Sequence, residues 1–431
     1  MASEAHSGAA AAGRGEFRLG WKPLSAALLG VACGASPIPF NVLPLVMGPI
    51  NAEFGWGFLE ISLGVTIFGI TASLLAPVVG GLADRHGVRP VALTSLFLFA
   101  VAFSLFYFTP SNLTGYYLLW LLVGLIGIGS TPVTWSRAIN MWFFRNRGLA
   151  LGIMLLGTSL AGMVVPQIAG RVTEAYGWRM AFPALALLPL LVALPIGLLM
   201  FREPRPEERP AGLSDSAGAV LGMTVKETAR TYRFWVLLLS IACIALAYGG
   251  AHIHMAQIVQ LHGFGVGTAA SVMGVVALGI MSGRIIVGML FDRFWAPAVA
   301  FPVLVLPAIA CFMLMGTSTA LMPLVIGGFM LGFAAGAESD VIAYLASRYF
   351  GMAHYGKIYG LLYMPFGIFS AISPMVYGGV RDATGSYDLM LMAAAGLFVM
   401  GGALLLVLGR YPDWTRPAAA PAPAPGLPEA A

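Results

Sequence analysis

The sequence predicts an all-α membrane protein with twelve transmembrane helices arranged as two pseudo-symmetric six-helix bundles. Three observations indicate this fold class. Of the 431 residues, 59% are hydrophobic and only 10% are charged, whereas charged residues make up about 25% of a typical soluble domain. The apolar residues fall into twelve runs long enough to cross a bilayer. Motifs in the first six runs also recur in the last six.

The connections between these runs predict the domain organisation. The longest connection is polar and Pro-rich, and it then contains "VKETARTYRFW", which is typical of a short surface helix. We therefore expect a cytoplasmic N-terminal tail (1–22), an N-terminal six-helix bundle (23–201), a cytoplasmic central loop (202–233), a C-terminal six-helix bundle (234–410) and a disordered, Pro/Ala-rich cytoplasmic tail (411–431).

The positive charges predict the orientation in the membrane. With a cytoplasmic N-terminus, eighteen of the 23 Lys and Arg residues lie in the tail and loop segments on the cytoplasmic side. Short cytoplasmic loops are enriched in Lys and Arg, so both termini are predicted to be cytoplasmic. The first 20 residues lack the apolar stretch of a cleaved signal peptide. We expect a multi-pass protein of the cell (inner) membrane.

Several function classes are excluded at this stage. The net charge of +5 is spread over short loops, which argues against a nucleic-acid partner. Cys33, Cys243 and Cys311 each lie in an apolar run, which favours a packing role over a disulfide or a metal site. The sequence contains no phosphate-binding loop with a lysine, no zinc-ligand spacing and no nucleophile triad. We expect no cofactor, no metal and no enzymatic activity.

A repeat relates the two halves. The segments "GGLADRHGVR" and "GMLFDR" share four residues at a separation of 208 positions: Gly80 and Gly288, Leu82 and Leu290, Asp84 and Asp292, and Arg85 and Arg293. Charged pairs at a helix end can bridge neighbouring helices. The two Asp-Arg pairs are therefore predicted to form a conformational latch, not a substrate site.

These residues carry a family resemblance. The segment "GGLADRHGVR" resembles the signature of the major facilitator superfamily between spans 2 and 3. The segments "EFGWGFLEISL", "RGLALGIMLLGTSLAGMVVPQIAG", "EAYGWRMAF" and "RYFGMAHYGKIYGLLYMPFG" resemble bacterial members of its monocarboxylate-transporter-like branch, over about residues 40 to 388. The resemblance implies two halves that rock about a substrate site near the middle of the membrane, in a functional monomer.

Four charged residues lie inside predicted spans: Arg137, Arg284, Glu338 and Asp340. Counted along their helices, all four fall near the middle of a hydrocarbon core about 30 Å thick. Charges at that depth are rare unless they face a partner or a wet cavity. Their common depth favours a functional site.

The two arginines are candidates for substrate binding. The planar guanidinium of Arg284 suits a carboxylate, and the resemblance implies that an arginine at this place in span 8 binds the substrate carboxylate. A structural ion pair of Arg284 with Asp340 or Glu338 is the alternative. Arg137 shares a helix face with polar residues and could line a cavity, but it could also reach the membrane interface.

Glu338 and Asp340 are two positions apart, about 200° around a helix, so they cannot both face one cavity. We expect one of them to serve proton coupling or to neutralise an arginine, and the other to pack between helices. Asp340 shares a face with Tyr344, which favours Asp340 as the titrating group.

The remaining polar residues in the spans are weaker candidates. His252 and His254 are two positions apart and cannot chelate one metal from one helix face; a core role is favoured, although either could titrate near neutral pH. The other residues predicted to line the cavity are Asn41, Tyr248, Gln257, Tyr344 and Tyr363.

The chain departs from the family at two positions. The resembling eukaryotic transporters carry a lysine in span 1 and an acidic residue one turn before the span 8 arginine. Here span 1 has no lysine, and Ile280 stands one turn before Arg284. The proton-coupling residues of those relatives are therefore not carried over.

The sequence predicts a secondary transporter that takes up a small organic anion, a monocarboxylate or an aromatic acid, by symport with protons. The alternative is a proton-coupled exporter of drugs or cations from the same superfamily, in which Glu338 or Asp340 would recognise the cation. The expected partners are the anion, protons and the lipid bilayer.

Overall fold

The computed structural model describes residues 2–143, 146–204, 222–291, 293–316, 319–351 and 354–412. In this part of the chain, twelve segments are long and apolar enough to cross a membrane. The prediction of twelve spans is confirmed. The three cysteines are free and buried, as their apolar surroundings predict.

The N-terminal half is built from nine helices in the described residues. They are α1 (Ala2–Ala32), α2 (Pro37–Phe54), α3 (Phe58–His86), α4 (Val88–Ser104), α5 (Leu113–Gly127), α6 (Pro132–Trp142), α7 (Arg147–Tyr176), α8 (Trp178–Leu187) and α9 (Leu194–Met200). Short 3-10 turns follow α4 and α5, and a π-helical turn joins α8 to α9.

The C-terminal half is more regular. A short surface helix, α10 (Val225–Arg230), precedes it, as the sequence predicts. The spans are α11 (Tyr232–Leu261), α12 (Val266–Phe291), α13 (Ala296–Leu314), α14 (Leu321–Phe350), α15 (Tyr355–Thr384) and α16 (Asp388–Leu406). Residues 205–221 of the predicted central loop and 413–431 of the predicted tail lie outside the described part of the chain.

The repeat seen in the sequence extends through the fold. Helices α12, α13, α14 and α15 begin 208 positions after α3, α4, α5 and α7, respectively. Residues separated by 208 positions therefore occupy equivalent places in the two halves. This constant offset confirms the prediction of two pseudo-symmetric bundles.

Two spans of the N-terminal half are interrupted near their middle. The first span breaks between α1 and α2, and the fourth breaks between α5 and α6. Pro37 and Pro132 each stand at the start of the following helix, where proline's missing N–H is tolerated. The breaks lie against each other, because a Cβ on Gly34 would overlap the carbonyl of Ser130.

Glycines set the closest packing in the C-terminal half. Helices α12 and α14 meet through Gly279 and Gly283 on one side and Gly332 and Gly336 on the other. A Cβ on Gly336 would overlap the carbonyl oxygen of Ile280 and approach the backbone nitrogen of Arg284 to 3.0 Å. Small residues allow helix backbones to approach closely in a membrane. This contact fixes the position of Arg284 relative to α14.

We expect Gly336→Ala to destabilise the C-terminal half, because the added methyl group has no space between the two backbones. Overpacking of this kind costs about 1–3 kcal/mol. The matched control is Gly396→Ala on α16, where a Cβ meets nothing within 4 Å. Thermal unfolding in detergent should show a lower Tm for Gly336→Ala only. Equal Tm values for the two variants would contradict the packing argument.

Candidate substrate site

The two halves meet mainly through three helix pairs: α3 with α15, α7 with α12, and α2 with α11. We call the side of the molecule that carries the start of α1 and the end of α16 the proximal side and the opposite side the distal side. The cross-half hydrogen bonds run from the distal helix ends to the middle. They include Thr66 Oγ1 to the Ala371 carbonyl at 2.6 Å and Gln167 Nε2 to the Ala270 carbonyl at 2.9 Å.

On the proximal side, the same helix faces are separated. Gly80 on α3 and Gly360 on α15 lie on the helix faces that contact each other nearer the distal side. A Cβ on either glycine would meet nothing within 4 Å. The same holds for Gly152 on α7 and Gly288 on α12. The halves are therefore closed distally and open proximally, so the middle of the interface is reached from the proximal side.

Arg284 lies at the inner end of the closed region. Its Nη1 donates a hydrogen bond to the carbonyl of Leu155 on α7, at 3.2 Å. This bond joins α12 of one half to α7 of the other. The structure thus places the predicted span 8 arginine at the boundary between the halves.

Two predicted cavity tyrosines lie near the charged residues. The hydroxyl of Tyr363 on α15 is within electrostatic reach of both Glu338 and Arg284, and that of Tyr248 on α11 is within reach of Glu338. Tyr363 is 40% exposed. It continues an aromatic row along α15, in which its ring centroid lies 5.6 Å from that of Tyr359. The structure therefore brings residues of α11, α12, α14 and α15 together.

Glu338 is 4% exposed and points into the C-terminal half. It borders a small, largely apolar cavity between helices α11, α13, α14 and α16, together with Ser240 and Ile241. Its Oε1 has no hydrogen-bond partner among the described residues. The equivalent residue in the N-terminal half is Ser130, whose Oγ accepts a hydrogen bond from the Ala35 N–H at 2.9 Å. Glu338 is thus a buried carboxylate in the position where the other half closes a helix break.

The two histidines have different surroundings. His254 is fully buried at the boundary between the halves; its Nδ1 lies 2.8 Å from the Tyr387 hydroxyl and its Nε2 lies 2.9 Å from the Pro374 carbonyl and 3.2 Å from the Ser62 hydroxyl of α3. His252 is half-buried and stacks on Tyr248. Within the described residues, no group of three His, Cys, Asp or Glu side chains could hold a metal ion.

Asn41 and Gln257 lie in the closed part of the interface. Gln257 Nε2 donates to the Pro44 carbonyl of α2 at 3.2 Å, which joins α11 to the other half. Asn41 Nδ2 donates to the Pro37 carbonyl in the first turn of α2, at 2.8 Å. Both side chains are buried. Their amide groups are engaged by the backbone in this conformation, and substrate binding by either residue stays a prediction.

Tyr344 and Arg137 complete the set of predicted binding residues. The Tyr344 hydroxyl donates to the Phe291 carbonyl at 3.0 Å, within the C-terminal half. Arg137 is half-buried on α6. The break before α6 turns Ser130 towards α1, so Ser130 does not extend a polar stripe along the face of Arg137. For both residues, substrate binding stays a prediction.

Three acidic residues of the predicted latch and site fall outside the description. The side chains of Asp84 and Asp340 lie outside the described part of the structure, and so does Asp292. Arg85 and Arg293 of the predicted latch are described and exposed. The latch and the role of Asp340 therefore stay predictions.

The structure also contains interface residues that sequence reasoning missed. Ser62, Thr66 and Gln167 bond across the halves, and two carboxylates, Glu174 and Asp382, do the same at the distal end. A signal for the carboxylates was present, because they are separated by the repeat offset of 208. Isolated Ser, Thr and Gln residues in apolar helices carry no comparable signal.

Two equivalent six-helix halves around a polar interface, closed on one side and open on the other, define a membrane transporter. The chain belongs to the Major Facilitator Superfamily, whose family model matches residues 29–374.

Its relatives include transporters and proteins without a known substrate. The chain is 28% identical over 353 residues to an uncharacterised 38 kDa protein in a 23S RNA operon of Thermoproteus tenax, covering 80% of this chain and 85% of that protein. It is 26% identical over 343 residues to monocarboxylate transporter 11 of Homo sapiens, covering 78% and 72%. It is 26% identical over 382 residues to monocarboxylate transporter 13 of Bos taurus, covering 86% and 83%.

Solved structures support the fold. A bacterial homologue of the human lysosomal transporter Spinster, in an inward-facing and occupied conformation, matches with a TM-score of 0.67 and 17% sequence identity. The match covers 91% of this chain and 96% of that chain. At this identity the likeness concerns the fold alone.

The paired helix breaks lead to a stability prediction. Ser130→Ala removes the acceptor of the buried Ala35 N–H, and an unsatisfied buried donor costs about 1–3 kcal/mol. The control is Ser136→Ala, whose hydroxyl donates only to the Val133 carbonyl of its own helix. We expect thermal unfolding in detergent to show a lower Tm for Ser130→Ala than for Ser136→Ala. If the order were reversed, Ser130 would not hold the two breaks together.

Proposed function

We propose that this transporter takes up a small organic anion, a monocarboxylate or an aromatic acid, together with protons by alternating access. The observation that carries the proposal is the position of Arg284. Its guanidinium bridges the two halves at the inner end of the closed interface. Helix α12, which carries Arg284, is also held against α14 by glycine packing.

The contact between Arg284 and Leu155 suits a ligand that competes for the guanidinium. A neutral carbonyl accepts this bond at 3.2 Å. A substrate carboxylate would form shorter and stronger charge-assisted bonds, two of them in parallel. The anion would thus replace or supplement a cross-half contact, which links its binding to the relative position of the halves.

The surroundings of Arg284 support a substrate with an apolar or aromatic body. Tyr363 lies within electrostatic reach of the guanidinium and presents part of its ring outward. Aromatic side chains offer both an apolar face and a hydroxyl handle. Two relatives are named as monocarboxylate transporters, which agrees with a single carboxylate.

We place the proposed proton site at Glu338 and Asp340 of α14. Glu338 is buried within electrostatic reach of Tyr248 and Tyr363, so changes in its charge would act on both predicted cavity tyrosines. Asp340 is the second candidate, and we retain the prediction that it is the coupling residue. Burying an unpaired carboxylate in a membrane protein is costly, which makes a purely incidental Glu338 unfavourable.

We further propose that the protein acts as a monomer in the inner membrane with both termini in the cytoplasm, as the Lys and Arg distribution favours. With this orientation, the proximal side is cytoplasmic. The described conformation is then inward-facing, the state from which an imported substrate is released.

Export of a cationic drug is the competing function. It would use the buried carboxylate of Glu338 as the recognition group in place of Arg284. The geometry favours the anion, because Glu338 points into the C-terminal half whereas Arg284 lies between the halves. Binding measurements on the two residues separate these functions.

Arg284→Ala should abolish binding of an anionic substrate, and Arg284→Lys should restore little of it, because an ammonium group lacks the planar fork. The test is a screen of monocarboxylates and aromatic acids by thermal shift, since a ligand raises the stability of the folded state. Arg171→Ala and Arg171→Lys, at an exposed position on α7, are the controls. Undiminished anion binding by Arg284→Ala would refute the proposed clamp.

A coupling assay should distinguish the roles of Asp340 and Glu338. In proteoliposomes, Asp340→Asn should retain counterflow exchange of the anion but lose accumulation driven by a pH gradient. Glu338→Gln should retain both exchange and pH-driven accumulation without a loss of Tm, since it removes the charge of a buried carboxylate whose Oε1 has no partner among the described residues. If Glu338→Gln lost coupling and Asp340→Asn retained it, the assignment of the two residues would be reversed.

A further inference from the structure

Two helix N-termini on the distal side are capped by carboxylates from the opposite half. Asp382, at the end of α15, accepts hydrogen bonds from the N–H groups of Phe58 and Leu59 at the start of α3, at 2.9 and 2.8 Å. Glu174, at the end of α7, accepts a hydrogen bond from the N–H of Gly267 at the start of α12, at 2.8 Å. Each cap joins one half to the other.

The two caps are equivalent under the repeat. Asp382 is 208 positions after Glu174, and Gly267 is 208 positions after Leu59. The same interaction is therefore made twice, on opposite sides of the pseudo-two-fold axis between the halves. Opening the distal side as a whole requires both caps to break.

The local sequence explains why the acceptors come from the other half. Gly57 precedes α3 and Gly265 precedes α12, and glycine has no side chain that could cap its own helix. The first N–H groups of a helix lack intrahelical partners and carry partial positive charge. A carboxylate held against them is stabilised by charge-assisted hydrogen bonds.

We propose that Glu174 and Asp382 form a two-point distal gate that holds the halves together in the described conformation. When the halves rock apart on the distal side, both carboxylates leave their helix N-termini. The gate sets the ratio of distally open to distally closed molecules. It concerns the conformational change and does not depend on which substrate is carried.

The gate is tested by distances across the distal side. Ser111→Cys and Thr319→Cys place spin labels on exposed distal loops of the two halves, at positions that are also separated by 208. The native cysteines are buried, and the parent protein carried through the same labelling reports any background. Pulsed electron paramagnetic resonance on the full chain in detergent then gives the proportions of short and long distances.

The variants are Glu174→Gln, Asp382→Asn and the double variant. Each single variant removes the negative charge but keeps an amide oxygen that can accept one hydrogen bond. A charge at a helix N-terminus changes an equilibrium by about two- to fivefold, so each single variant should raise the open-to-closed ratio about two- to fivefold. Sites this far apart act independently, so the double variant should raise it about 4- to 25-fold. Asp382→Glu keeps the charge and should remain closer to the parent than Asp382→Asn.

Matched controls use distal carboxylates whose partners lie within one half. Asp388 accepts a hydrogen bond from the Gly316 N–H at 2.9 Å, and Glu53 pairs with Arg179 and Trp178. Asp388→Asn and Glu53→Gln should leave the distance distribution unchanged. The proposal is overturned if the double variant keeps the parental distribution, or if the controls shift it as much. Neither result bears on the anion clamp, because no substrate is present.

Discussion

The constraint on which the structure depends is that backbone polar groups inside a bilayer must find partners within the protein. Helices meet it throughout the described spans except at two breaks in the N-terminal half. There the chain solves the problem between helices, because Ser130 Oγ accepts from the Ala35 N–H and donates to the Gly127 carbonyl. The C-terminal half keeps continuous helices at the equivalent places, and Glu338 occupies the position of Ser130. The same position of the repeat thus carries a neutral hydroxyl in one half and a buried carboxylate in the other.

Contacts within a half and contacts between halves differ in kind. Inside the C-terminal half, Gly283 and Gly336 bring helix backbones so close that no side chain fits between them. Between the halves, Thr66, Gln167 and Arg284 donate to backbone carbonyls of the opposite half. Those carbonyls lie inside helices, so separation of the halves leaves the helical hydrogen bonds intact, and water can satisfy the side-chain donors that are released. Rigid halves with a separable interface are what alternating access needs.

The sequence was a good guide to the fold and a partial guide to the site. Hydropathy counts the spans directly, because a long apolar segment has few other stable locations. Arg284 could be singled out from its depth and its apolar neighbours. The buried setting of Glu338 was foreseen only as one of two alternatives. The engagement of Gln257 with Pro44 and of Ser62 with His254 could not be foreseen, since each joins residues about 200 positions apart.

The sequence by itself determined that the chain crosses a membrane twelve times and that its halves repeat. These properties follow from hydropathy and from residue identity at a fixed offset. Only the tertiary structure decided which side is closed, where the helices of span 1 and span 4 break, and which half each carboxylate serves. Those features depend on the rotation of helices about their axes and on cross-half distances, which one-dimensional patterns do not specify. Glu174 and Asp382 show the difference, because the sequence places them at equivalent positions while the packing of the halves turns them into caps for each other's helices.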